Sequence, residues 1–114
     1  MKEVFKIMGE ADRARSAAAG FVERAPVDLA DGYIHLSAED QVLETARLHF
    51  AGRDDLVAVA FNAGDLGPAL KWEASRGGAL FPHYYGALAM GLARAARRLV
   101  RRADGTFAFG EAIG

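Results

Sequence analysis

Alternating apolar and polar stretches divide the first part of the chain into predicted elements. An apolar run at residues 4–8 predicts a first strand. The Ala- and Arg-rich stretch Glu10–Ala19 ends at a glycine and predicts a helix. Residues 21–31 contain Pro26 and several acidic side chains, and they predict a loop.

A strand, a serine and a helix are predicted in succession in the middle of the chain. Residues 33–36 are β-prone and stop at Ser37, which can cap a helix that has Asp40 at its N3 position. Apolar residues then recur at helical spacing, namely Val42, Leu43, Ala46 and Phe50. Because a helix N-terminus presents free backbone N–H groups, Ser37 also marks a candidate site for phosphate or another anion.

The second half of the chain is predicted to consist mainly of strands. The continuous apolar run at residues 56–61 predicts a buried central strand. A turn around Pro68 and a short strand at residues 70–74 follow. The composition of residues 88–102 favours a helix, but the Asp104-Gly105 turn that follows favours a hairpin, which we predict here.

Together these elements predict one α+β domain over residues 1–114, with a mainly antiparallel sheet and about two helices. The chain has no cysteine, which excludes disulfides and thiolate chemistry and favours a cytoplasmic location. Its 14 basic and 15 acidic residues nearly balance, so no global charge attracts nucleic acid or membranes. No apolar run reaches the roughly 18 residues of a membrane span, and the first residues lack a signal-peptide pattern. The sequence does not indicate an oligomeric state.

Residues able to carry chemistry concentrate between positions 33 and 85. His35 is a candidate because a histidine side chain can donate, accept or transfer a proton, and its alternative role is that of a hydrogen-bonded surface residue. Trp72 is expected in the core, which points its neighbour Glu73 to the other face as an acid, a base or an anchor for a sugar hydroxyl. The segment from Phe81 to Gly86 contains His83, Tyr84 and Tyr85, which can stack on a planar ligand or fill a small core.

Several other site types lack support. His35, His49 and His83 do not have the spacing of a zinc motif, so we predict no metal. The chain also has no Gly-x-Gly-x-x-Gly fingerprint, phosphate-binding loop or Gly-x-Ser-x-Gly elbow.

The order of the motifs resembles a bacterial family known as domain of unknown function nine-five-two. The motifs are Val-Phe-Lys-Ile, Asp-Gly-Tyr-Ile-His-Leu-Ser-Ala-Glu-Asp-Gln, Lys-Trp-Glu and Phe-Pro-His-Tyr-Tyr-Gly. The resemblance runs from about Val4 to Phe109, and Tyr33 stands where the family usually has phenylalanine. The family carries no established activity to transfer.

The chain is also distantly similar to the ADP-ribosyltransferase fold, which includes the RNA 2′-phosphotransferases. That similarity implies that Lys6 stands where the fold has a His or Arg that holds NAD. It implies NAD or an ADP-ribose-like nucleotide as the ligand, with 2′-phosphorylated RNA as an alternative substrate. His35 and Ser37 would orient ribose and phosphate, Tyr84 or Tyr85 would stack on a ring, and Glu73 would be catalytic together with His35 and His83.

Three functional hypotheses follow. The first is a transferase that binds NAD or a related ligand in a cleft between two halves of the sheet. The second is a binding module that keeps the pocket without catalysis. The third is a protein-interaction domain in which the aromatic segment around Tyr84 forms the interface.

Overall fold

A computed structural model describes residues 2–113, with the side chain of Arg76 left out. The strands are β1 (Glu3–Gly9), β2 (Ile34–His35), β3 (Ser37–Ala38), β4 (Leu56–Asn62), β5 (Leu70–Ala74), β6 (Leu80–Tyr84), β7 (Ala93–Arg101) and β8 (Phe107–Ala112). The helices are α1 (Glu10–Ala19), α2 (Pro26–Asp31), α3 (Val42–His49) and α4 (Ala63–Leu66). None of the helices within residues 2–113 is long and apolar enough to cross a membrane.

The strands form two antiparallel sheets, which confirms the α+β class. The larger sheet has the order β3-β1-β4-β7-β8, and the smaller one has the order β2-β6-β5. β4 lies at the centre of the larger sheet, and its residues from Leu56 to Phe61 are all buried, as the continuous apolar run predicts. The predicted hairpin is also present, because β7 pairs with β8 across the Asp104-Gly105 turn.

The core lies on both faces of the larger sheet. One cluster contains Val59 and Phe61 and packs against Ile34 of the smaller sheet. The other contains Phe5 and Ala58 on the opposite face and packs against α3. Since successive side chains of a strand point to opposite faces, β1 and β4 contribute to both clusters.

The predicted loop at residues 21–31 is wrong for its second half, which forms α2. Pro26 occupies the first helical turn, where a missing N–H costs nothing. The Asp28 carboxylate accepts a hydrogen bond from the backbone N–H of Ala25 at 2.9 Å, and Gly32 ends the helix with φ of 83°. With the short α4, this gives four α-helices in the described chain rather than about two.

The prediction that Ser37 caps a helix is also wrong. Ser37 lies in β3, where it is the register partner of Phe5 in β1, and α3 begins only at Val42. Pairing with the edge of β1 overrides the local capping signal. The side chain of Gln41 instead accepts a hydrogen bond from the backbone N–H of Ala38 at 2.9 Å as the chain turns into α3.

Candidate functional site

The smaller sheet separates its apolar and polar residues onto two faces. Ile34, Trp72 and Tyr84 pack into or against the core. The side chains that alternate with these three along the strands point to the other face of the sheet. His35 and His83 are directly opposite each other on β2 and β6, and Glu73 on β5 is one diagonal step from His83. This register brings His35, Glu73 and His83 together on the polar face.

His83 is held by a carboxylate that a tyrosine also contacts. Its Nδ1 lies 2.8 Å from Oε1 of Glu73, and the Tyr85 hydroxyl donates to the same oxygen at 2.7 Å. The hydrogen bonds from His83 and Tyr85 lower the pKa of Glu73, so this carboxylate is ionised at neutral pH. An ionised carboxylate requires a proton on Nδ1, which leaves Nε2 of His83 as the basic nitrogen.

A buried carboxylate, Asp28, organises the neighbouring part of the site. Its side chain is fully buried and bonds Nζ of Lys6 at 2.8 Å. It also accepts hydrogen bonds from the backbone N–H groups of Ala25 and His35 and contacts Nδ1 of His35 at 2.8 Å. Burial alone would raise the pKa of Asp28, but Lys6 and the backbone donors outweigh burial and lower it.

Lys6 is the buried cation of this site. Its Nζ contacts Asp28 and donates to the carbonyl oxygen of His35 at 3.3 Å. Burial lowers the pKa of Lys6, while Asp28 acts against that shift. The described residues thus provide partners for two of the three N–H donors of the ammonium.

His35 lies between two carboxylates. Nδ1 contacts Oδ1 of Asp28, and Nε2 contacts Oδ2 of Asp31 at 2.9 Å. The Asp28 side chain is fully buried, whereas the Asp31 side chain is 45% exposed. Each ring nitrogen of His35 thus faces a carboxylate oxygen, which accepts hydrogen bonds when ionised.

Tyr33 covers this pair of histidines. Its ring stacks on His83 with a centroid distance of 4.1 Å and is tilted against His35 at 4.6 Å. The centroids of His35 and His83 are 5.5 Å apart, and Tyr85 packs against Tyr33 at 5.2 Å. The aromatic contacts restrict both imidazoles, and His83 is only 4% exposed.

A cavity of about 560 Å³ opens beside the two histidines. Its polar lining includes Lys6, Ser37, Thr45, His49 and Ser75, and its apolar lining includes Ile7, Pro26, Leu36, Phe50 and Phe81. Such a volume, mostly apolar with a few polar groups, is typical of small-molecule sites. The cavity lies where β1, α2, α3 and the polar face of the smaller sheet meet, whereas the space between the two sheets is filled by the core.

The structure brings most of the predicted site residues to this region, but it changes their arrangement. Lys6, His35, Ser37 and His83 line the cavity, while Glu73 and Tyr85 support His83 through hydrogen bonds. Ser37 lines the cavity from strand β3 and not from the N-terminus of a helix. Tyr84 packs against the core on the opposite face of β6.

Three important residues were not among the sequence candidates: Asp28, Asp31 and Tyr33 as a stacking group. Asp28 could have been found from Pro26 two positions earlier and Gly32 four positions later, which together mark a short helix. No similar signal marks Asp31, since its contact with His35 depends on the turn at Gly32.

The described residues contain no group of three or more His, Cys, Asp or Glu side chains that could hold a metal ion. His49 reaches the cavity from the far end of α3, and His35 and His83 both direct Nδ1 to carboxylates.

Residues 7–95 match the family model described as "Protein of unknown function (DUF952)". The chain belongs to this family. The crystal structure of protein CC0527 from Caulobacter crescentus is 45% identical, with a TM-score of 0.88 and 93% of each chain covered. A solution NMR structure of the same protein is 46% identical, with a TM-score of 0.81 and coverage of 91% of this chain and 90% of that one. No curated protein matches.

In this DUF952 protein the hydroxyl of Tyr85 is expected to resist ionisation. Its hydrogen bond to Glu73 raises the pKa of Tyr85 to about 12, from an ordinary value of 10.0. Phenolate absorbance should show the ionisation of Tyr85 as a late phase of the alkaline titration. The absorbance is read at once after a pH jump, so that alkaline unfolding does not contribute. Glu73→Gln should move the phase toward 10.0, and Tyr85→Phe should remove it. Persistence of the phase in Tyr85→Phe would contradict the assignment.

Proposed function

We propose that this DUF952 protein is a transferase that binds NAD or a related ADP-ribose-containing nucleotide in the cavity and uses His83 as a general base. The observation that carries the proposal is the buried His83 on the cavity wall, with Nδ1 fixed by Glu73 and Nε2 left basic. A carboxylate that orients a histidine in this way is a recurring arrangement for proton abstraction.

The cavity supports a ligand with both apolar and anionic parts. Phe81, Pro26 and Phe50 offer apolar surface to a ring, and Lys6, a cation in the cavity lining, attracts a phosphate. The distant similarity to the ADP-ribosyltransferase fold supports NAD or another ADP-ribose-containing nucleotide as the class of ligand. The lack of cysteine supports the cytoplasm as the compartment for this activity.

The proposed reaction moves ADP-ribose to a hydroxyl acceptor. Nε2 of His83 takes the proton of the acceptor hydroxyl as that oxygen forms a bond to the anomeric carbon of the ribose. The bond from this carbon to the nicotinamide nitrogen breaks, its electron pair stays on the nitrogen, and neutral nicotinamide leaves. Glu73 stabilises the protonated His83 through Nδ1, and so it acts as a positioning residue.

Saturation-transfer NMR with NAD, ADP-ribose and a 2′-phosphorylated RNA oligonucleotide tests the binding step. We expect NAD and ADP-ribose to receive magnetisation and the signals of His35 and His83 to shift. Nicotinamide release, followed by chromatography, tests turnover. Contact with none of the three compounds overturns the proposal, and binding without nicotinamide release leaves a binding module in its place.

A further inference from the structure

His35 holds its two carboxylate partners with very different strength. Asp28 is fully buried and has four hydrogen-bond partners, two of them from His35 itself. Asp31 is 45% exposed and contacts His35 at a single atom, Nε2. An ion pair exposed to this extent adds little stability because water screens it. The contact with Asp31 is therefore the one that another anion can replace.

We propose that Nε2 of His35 is an anion subsite for a phosphate group of the ligand, and that Asp31 occupies it in the unliganded protein. The inference rests on the proposed function for the identity of the ligand, a nucleotide with a pyrophosphate. Asp28 keeps His35 oriented by bonding both its Nδ1 and its backbone N–H, so the ring stays in place when Asp31 leaves.

The position of the residues fits such an exchange. Asp31 is the last residue of α2, and the left-handed Gly32 follows it with φ of 83°. Its side chain is thus attached at a helix end, outside the buried network that fixes Asp28. Lys6 contacts the other carboxylate oxygen of Asp28, and both Lys6 and His35 line the cavity proposed for the nucleotide.

Asp31 then competes with the ligand for Nε2 of His35 and so weakens ligand binding. Because Asp31 is itself an anion there, the ligand group that replaces it is also an anion. The variant Asp31→Ala should bind ADP-ribose and inorganic phosphate about fivefold more tightly, since a half-exposed charge pair is worth up to about a factor of five. Glu111→Gln removes a carboxylate from β8, at the edge of the larger sheet, and controls for the change in net charge. The double variant Asp31→Ala/His35→Gln should lose the gain.

Isothermal titration with inorganic phosphate, acetate and ADP-ribose, together with the imidazole nitrogen shifts of His35, distinguishes the outcomes. Tighter phosphate binding in Asp31→Ala with a shift at Nε2 supports the subsite, even if no nucleotide binds and the proposed function fails. Preference for acetate over phosphate overturns the phosphate assignment. Equal gains in Asp31→Ala and Glu111→Gln, or a gain that survives His35→Gln, overturn the subsite while leaving nucleotide binding at His83 intact.

Discussion

Replacing Asp28 with asparagine is expected to lower the free energy of unfolding by about 3–5 kcal/mol, because the change leaves a buried cation without its counterion. Lys6 is only 5% exposed and has no other carboxylate within ion-pair distance among the described residues. The amide of asparagine also places an N–H group where the carboxylate accepted hydrogen bonds, so at least one backbone or side-chain donor loses its partner. Chemical denaturation measures the loss.

The matched control is Asp54→Asn, which removes an ion pair of the same type at the surface. Asp54 is 73% exposed and pairs with Arg101, so its loss should cost far less stability than the loss of Asp28. The double variant Lys6→Met/Asp28→Asn should recover part of the stability lost in Asp28→Asn, since no unpaired charge remains buried. A loss in Asp28→Asn no larger than in Asp54→Asn would show that the buried pair is unimportant.

Asp28 also determines how the free energy of unfolding changes as the pH falls. The pKa of Asp28 lies below its ordinary value of 3.8 in the folded protein. A carboxyl group whose pKa is lowered on folding stabilises the fold above its unfolded value, and this contribution is lost as the pH falls through the folded value. The stability of Asp28→Asn should therefore change less between neutral pH and acid than that of the parent chain.

Much of the fold follows from local sequence signals. The apolar run at β4, the Ala-rich α1 with its terminal glycine and the Asp104-Gly105 turn each predict the element that the structure contains. The errors arise where distant residues decide the outcome. The Ser37 side chain is well suited to cap a helix. The edge of β1 is available to pair with this segment, however, and Ser37 forms a strand there instead.

The site was predictable to the extent that strand alternation applies. Because β6 is a strand, His83 and Tyr84 point to opposite faces, which the density of aromatic residues alone does not reveal. Tyr85 follows the strand and contacts Glu73, the partner of His83. Cross-strand register then explains why His35 meets His83. Asp28 is different, since its role depends on Lys6 and His35, which are 22 and 7 positions away along the chain.

Replacing His83 with glutamine is expected to lower the rate of group transfer by about 10²–10⁴-fold, the usual contribution of a general base. Glutamine keeps polar atoms in the pocket but accepts no proton, so ligand binding should change far less than kcat. Tyr84→Phe, one position along β6 on the core side, is the matched control and should retain the parent rate. Nicotinamide release under single-turnover conditions separates the chemical step from binding.

Glu73→Gln should produce a smaller loss, about 10–100-fold, because it removes the partner that orients His83 rather than the base itself. A purely structural role for Glu73 would lower stability and leave the rate of the folded protein unchanged. Because His83 is covered by Tyr33 and 4% exposed, added imidazole should rescue His83→Gly only if it enters the vacated space beside Glu73. Rescue in His83→Gly, and none in the double variant His83→Gly/Glu73→Gln, would identify the Glu73–His83 pair as one functional unit; a parent rate in His83→Gln would exclude it.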